Sequence, residues 1–222
     1  MSETYYKWLL ADGRSPFADF AWPLPHDGRP GAWTPALEGE PEECKHGYHF
    51  CRARDLVVWV QAELYELEVQ PGGGVVEFAD KCATTAACRL VRLVGTLEDS
   101  KARLFACDCA ERVAHLAGPA EAICRDTIAV ARRFALGDTT VTDLAAAYAA
   151  AEAAAEAARS AAEAAAEAAA YSAVKAAAYA AAYAAAYSAA YSAVKAAAYA
   201  AEREWQSARL LQYVRNEIEG PR

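Results

Sequence analysis

Hydrophobic and polar positions change their period along the chain, from two near the start to about 3.6 beyond residue 100. Tyr5–Leu10 is a run of large, mostly apolar side chains closed by the turn signal Asp12-Gly13, and it predicts a strand. Glu63–Val69 alternates cleanly, with Tyr65, Leu67 and Val69 on one side and Glu66 and Glu68 on the other. That is the pattern of a strand with one buried face. Val75–Phe78 and Arg89–Val94 read as further strands, and Gly72–Gly74 reads as a hairpin turn leading into the first of them. Pro23, Pro25, Pro30 and Pro35 keep Phe17–Gly39 irregular, because proline fixes φ and has no N–H to give a ladder. Asp55 stands where an N-cap would open a short helix ending at Trp59.

Beyond Ser100 the helical period takes over. Ser100 is a good N-cap type, and Leu104, Phe105, Val113 and Leu116 return to one side of a first helix. Gly118-Pro119 separates it from a second, which carries Ile123, Val130, Ala131 and Phe134 on one face and stops at Gly137 in the C′ role. Thr139 and Thr140 with Asp143 resemble the capping signal of a third. Residues 143–201 then contain 37 alanines in 59 positions, and no glycine or proline occurs between Gly137 and Gly220. The eleven-residue unit at 171–181 recurs at 191–201. Glu152, Glu156, Glu163 and Glu167 form a narrow acidic stripe on a helical wheel, whereas Tyr171, Tyr179, Tyr183, Tyr187, Tyr191 and Tyr199 spiral around it. The stripe predicts a wet face, and the spiral predicts a helix touching neighbours on several sides. Residues 141–216 form either one rod, on the order of 110 Å at 1.5 Å per residue, or a hairpin turning near Arg159-Ser160 or Ser188.

Composition follows the same division. Residues 1–97 hold seven of the nine prolines, nine of the twelve glycines and four of the five tryptophans. The expected fold is α+β: a small α+β domain with an antiparallel sheet over 1–98, then an alanine-rich all-α domain over 99–222, built as a helical bundle or a long helical hairpin.

Charge narrows the function. The chain has 222 residues and a net charge of −8, from 30 acidic and 22 basic side chains, which argues against binding nucleic acid by phosphate neutralisation. Residues 176–194 carry no charge, but they are mostly alanine and are flanked symmetrically by Lys175 and Lys195. No membrane span is expected there. The start, Met1 to Lys7, lacks a basic region followed by an apolar run, so a cytoplasmic protein with reduced thiols is expected.

One dense cluster of chemically capable residues stands out: Cys44, His46, His49 and Cys51. Two readings are open to it, a zinc site or a turn around Gly47 leading into a strand. The spacing matches no common finger and favours the turn. Cys51 with His49 would be a nucleophile and a base, but no residue is marked as the orienting third member. Cys82 and Cys88 flank a strand or loop. Cys107 and Cys109 point apart on a helix, one toward the core and one partly exposed. Gly72–Gly74 lacks the lysine and hydroxyl of a phosphate loop. The expectation is no catalytic, cofactor-binding or metal residue, with the partner-binding residues left unassigned.

Two stretches carry a resemblance. Arg103–Val113 (RLFACDCAERV), Ala131–Asp138 (ARRFALGD), the alanine tract with periodic aromatics, Glu202–Gln206 (EREWQ) and Leu210–Tyr213 (LLQY) together resemble the alanine-rich bacterial immunity proteins of polymorphic-toxin systems, over roughly half the chain. Phe17–Pro23 (FADFAWP), Gly47–Arg52 (GYHFCR) and Asp55-Leu56 resemble a domain of unknown function in actinobacterial and phage proteins. Neither resemblance brings catalytic residues. The first implies a non-catalytic interaction protein that binds and neutralises a toxin. Residues 1–99 carry 16 acidic and 9 basic side chains, a net of −7, with Glu38, Glu40, Glu42 and Glu43 clustered. That charge would suit a basic partner. Self-assembly through the alanine- and tyrosine-rich helices is a second reading, and an enzyme housed in 1–97 is a third.

Overall fold

The computed structural model describes residues 4–115, 121–153 and 200–218. The fold is α+β, and the chain divides into two compact units: Met1–Lys101 together with Glu202–Arg222, and Ala102–Ala201.

The first unit is built on six strands: β1 (Tyr5–Leu9), β2 (Tyr48–Arg52), β3 (Glu63–Val69), β4 (Val76–Glu77), β5 (Cys82–Thr84) and β6 (Cys88–Thr96). They lie in the order β4-β5-β2-β1-β3-β6, with every neighbouring pair antiparallel. The strand expected at Glu63–Val69 forms over those residues, and Leu64, Tyr65 and Leu67 are buried. Only Thr85, Ala86 and Ala87 join β5 to β6, yet three strands lie between them in the sheet. Four interstrand steps of about 4.8 Å would separate them by about 19 Å in a flat sheet, and four residues reach at most about 14 Å. The sheet must therefore curl.

The curl encloses the core of Leu9, Trp22, Tyr48, Phe50, Tyr65, Leu67, Cys82, Cys88 and Leu90. The proline-rich stretch seals its margin: Gly31 N–H donates to Leu90 O, Thr34 N–H to Cys88 O and Leu37 N–H to Thr85 O, at 2.8–2.9 Å. A Cβ on Gly31 would collide with the Pro23 carbonyl, so only glycine fits there. Gly72–Gly74 does turn the chain, with Gly72 at φ +84° and Gly73 N–H donating to Gln70 O, but it is not a hairpin. It leaves β3, which pairs with β1 and β6, and enters β4, which pairs with β5.

Asp55 also departs from expectation. A 3-10 helix spans Ala53–Val58, with Arg52 at its N-cap and Asp55 inside it. Asp55 is 2% exposed and receives two guanidinium groups, Arg52 Nε at 2.5 Å and Arg203 Nη2 at 3.2 Å. Arg203 lies in a helical stretch over residues 200–214, which from Glu202 onward belongs to the sheet-bearing unit. Ser207 Oγ donates to Arg54 O, and Leu210, Tyr213 and Val214 are buried. Gly95 lies so near the Val214 carbonyl that a Cβ there would clash with it. The expected division at residue 98 therefore needs correcting at its far end: residues 202–218 group with the sheet. Composition placed them with the helices, while a buried carboxylate and an apolar face hold them to the strands. Asn216, at φ +57°, closes the stretch, with Glu217 N–H donating to Gln212 O.

In the second unit, α1 (Asp99–Val113), which begins in the first, and α2 (Glu121–Leu136) are tied by Arg132, whose Nη2 lies 2.6 Å from buried Asp108 and 2.5 Å from Glu111. Cys107 is buried and Cys109 half-buried, as their spacing predicts. Gly137, at φ +79°, ends α2 with Asp138 N–H donating to Arg133 O. Thr140 and Asp143 then exchange hydrogen bonds, Thr140 N–H to Asp143 Oδ2 and Asp143 N–H to Thr140 Oγ1. This is the expected capping box, and residues 141–153 are helical with Glu152 exposed. The remainder of the acidic stripe, the tyrosine repeat, the apolar stretch at 176–194, and Leu116 with Gly118-Pro119 lie outside the described residues. Among the described residues no helix is long and apolar enough to cross a membrane.

The Asp55 network makes an ordered prediction. Asp55→Ala leaves Arg52 buried with one fewer counter-charge and should cost about 3–5 kcal/mol in urea unfolding. Arg203→Ala, from a position with 25% side-chain exposure, should cost less, about 1–2 kcal/mol. Equal costs would show that Asp55 is not the hub.

Candidate functional site

The site arises where the curled sheet is incomplete. β1 and β2 each contain five residues, but they pair only at Tyr5↔Arg52 and Tyr6↔Cys51. Beyond those pairs the strands part. β1 keeps all five residues paired with β3, and β2 pairs three with β5. The parting exposes the His49 carbonyl, which the strand ladder would otherwise occupy. Lys7 Nζ donates to it at 2.7 Å.

A cavity of about 680 Å³ opens at this split. Its inner wall is Phe20, Trp22, Tyr48 and Phe50. Phe20, Trp22 and Tyr48 pack with ring centroids 5.4–5.7 Å apart, in edge-on or tilted pairs, the arrangements that aromatic quadrupoles prefer. Phe20 and Trp22 stand on the loop after β1, which is folded on itself by Trp22 N–H to Gly13 O and Ser15 N–H to Phe20 O. Trp22 Nε1 donates to Ser15 Oγ at 2.9 Å, so its only buried polar atom is satisfied. At the rim, Phe17 is 80% exposed and stands edge-on to Trp59 at 6.1 Å. Lys81 Nζ lies 4.4 Å from the Trp59 ring centre.

Among the described residues no carboxylate lines the cavity, and its basic side chains are Lys7, Lys45, Lys81, His46 and His49. Two of the lysines are already compensated. Lys81 lies 3.2 Å from both Glu43 and Asp80, and Lys45 lies 3.8 Å from Glu42. Lys7 has no carboxylate partner among the described residues. Its place in β1, opposite Tyr65 and on the same side as Leu9, points it inward. Burial pushes its ammonium down to about 8, because a charge loses hydration there without a full counter-charge.

Cys44, His46, His49 and Cys51, the cluster that the sequence marked, all line this cavity but differ in burial. Cys44 is exposed in a turn at φ +57°, and Cys51 is buried on β2 with its thiol near Tyr6 O. Burial pushes the Cys51 thiol up to about 12 and the Cys88 thiol up to about 11, so both are neutral at physiological pH. Burial also lowers the His49 imidazole, whose Nε2 accepts the Cys44 N–H at 3.0 Å. His46 Nε2 lies 2.7 Å from Glu38 O. These imidazoles brace the 38–46 turn through backbone groups. Among the described residues no three His, Cys, Asp or Glu side chains converge on a point that could hold a metal ion.

No protein family, curated protein or solved structure matches this chain. The site is therefore read from its own geometry. Lys7, Trp22 and Trp59 are the residues that motif spacing missed. One signal was present: a lone cation between Tyr5 and Leu9 on the inward side of an otherwise apolar strand.

Two outcomes follow. A lysine whose folded pKa lies below its unfolded value costs stability wherever the unfolded chain is protonated. For Lys7 that cost is full below pH 8 and gone above about 10.5. Lys7→Met should therefore stabilise the protein at pH 7, by about 1–3 kcal/mol, and the gain should shrink between pH 8 and 10.5. A gain independent of pH would contradict the assignment. With a thiol reagent under native conditions, Cys44 should react fastest and Cys51, Cys82 and Cys88 only on unfolding. Cys44→Ser should remove the fast phase.

Proposed function

We propose that this chain is a non-catalytic binding protein whose ligand seat is the cavity at the β1–β2 split. One observation carries the reading: a recess of about 680 Å³ with aromatic walls and, among the described residues, lysines and histidines but no carboxylate in its lining. Its size falls within the range of small-molecule sites, roughly 300–1,000 Å³. The site is well made for holding and poorly made for turnover. The thiols beside Lys7 are kept neutral by burial, and the imidazoles are engaged with backbone groups.

The resemblance to immunity proteins supports a second use, binding a toxin protein. Glu38, Glu40, Glu42 and Glu43 are exposed on the turn beside the cavity and are the group that would meet a basic partner. The alanine-rich segment is read as the remainder of a helical bundle or long helical hairpin, a reading supported by the α1–α2 clamp and the helical residues 141–153. A cytoplasmic setting agrees with seven free thiols.

The binding reading is tested with a neutral flat probe, 2-naphthamide, followed by tryptophan quenching, since Trp8, Trp22 and Trp59 all line the cavity. One equivalent should bind. Ala18→Trp, at an exposed position of the cavity wall, should weaken binding about tenfold or more, equivalent to about 1.4 kcal/mol, with the melting temperature nearly unchanged. No saturable binding by the wild-type protein would remove the proposal.

A further inference from the structure

The geometry points to an aromatic monocarboxylate as the ligand of this cavity, its carboxylate on Lys7 Nζ and its flat body between the Trp22 wall and the Phe17–Trp59 rim. This inference rests on the binding reading above and goes beyond it to the chemical class.

Three features select that class. The first is the number of charges. Lys45 and Lys81 are matched by Glu42, Glu43 and Asp80, which leaves Lys7 as the one lining lysine without a counter-charge among the described residues. One negative charge completes the site. A second, as on a phosphate dianion, would find no unpaired lining lysine left to meet it among the described residues.

The second is donor geometry. An ammonium has three N–H groups, and Lys7 uses one on the His49 carbonyl. Trp22 cannot donate, because its Nε1–H is given to Ser15 Oγ. The free donors at the inner wall therefore concentrate on Nζ, which lies 5.5 Å from the Trp22 ring centre. A carboxylate bound to Nζ carries its substituent along that ring.

The third is the wall. Its side chains are rings, and Phe17 is held at the rim at 80% exposure, where a flat ligand would cover it. Flat rings match edge-on and stacked aromatic contacts.

The groups facing Lys7 do not compete for the role. Cys51 on β2 and Cys88 on β6 are neutral thiols, pushed up to about 12 and about 11. His49 is lowered toward its neutral form, while Lys81 and Lys45 remain paired cations at the cavity wall.

The test compares 2-naphthoate with 2-naphthamide, which share a ring system and differ in charge. At pH 7 naphthoate should bind the wild-type protein at least about tenfold more tightly. Lys7→Met should abolish that preference while leaving naphthamide binding in place. In the unmodified protein, naphthoate affinity should fall about tenfold from pH 7 to pH 9 as Lys7 loses its proton near 8, while naphthamide affinity stays level. Equal binding of the two probes, or a Lys7→Met variant that weakens both alike, overturns the ligand class and leaves the binding reading standing. Failure of both probes to bind overturns the two together.

Discussion

The three residues Thr85–Ala87 set the shape of the sheet-bearing unit. They are too few to cross a flat sheet, yet the strands they join sit beside β2 and β3. The sheet can satisfy both pairings only by curling. The curl gives six short strands an enclosed apolar interior, which an open sheet of this size would lack. It also explains why the proline-rich stretch, with no regular structure of its own, is ordered. Its N–H groups at Gly31, Thr34 and Leu37 meet carbonyls at the sheet margin that would otherwise lack partners. The Arg52–Asp55–Arg203 cluster then fastens residues 200–214 to this unit. The alanine-rich unit is thus an excursion that leaves the sheet through α1 and returns to it.

Against this economy, the split between β1 and β2 is costly. It gives up ladder hydrogen bonds that two five-residue strands could make, and it leaves an ammonium in apolar surroundings. Lys7 is half-buried, and even partial burial of a charge without a counter-charge is a cost to the fold. Other charges in this unit are treated differently. Arg52 has Asp55 and Glu77, Lys81 has Glu43 and Asp80, and Arg89 has Glu68. Lys7 stands apart from that pattern, at the split between β1 and β2. Local rules broken at a single position, within a structure that otherwise keeps them, mark function more often than accident.

How far this was legible depended on the range of the interactions. The bounds of Glu63–Val69 could be read to the residue, although Leu64 on the opposite face is fully buried as well and Val69 only half-buried. The stop at Gly137 and the box of Thr140 with Asp143 were legible because caps act within four residues. Asp55 was misread for the same reason. Nearby residues make it look like a cap, but it lies inside the 3-10 helix, and its second cation, Arg203, is 148 residues away. Residues 202–218 were grouped with the helices by composition, which cannot register that Leu210 and Val214 are fully buried beside the strands. The cavity was the least legible feature. Sequence spacing marked Cys44, His46, His49 and Cys51, which all line it, but Lys7, Trp22 and Trp59 stand far from them along the chain and form no motif with them.

The acidic balance of the chain and the basic lining of its cavity appear to conflict, and screening resolves the conflict. At physiological ionic strength exposed charges act over about 8 Å, so the net −8 governs encounter with large partners and says little about a recess. Within the recess the dielectric is lower, and the nearest groups dominate. Glu42, Glu43 and Asp80 are spent on Lys45 and Lys81, and that pairing isolates the charge of Lys7. The acidic turn and the cationic cavity are therefore parts of one arrangement. Neutralising the outer lysines narrows an otherwise general anion trap to a site for a single negative charge.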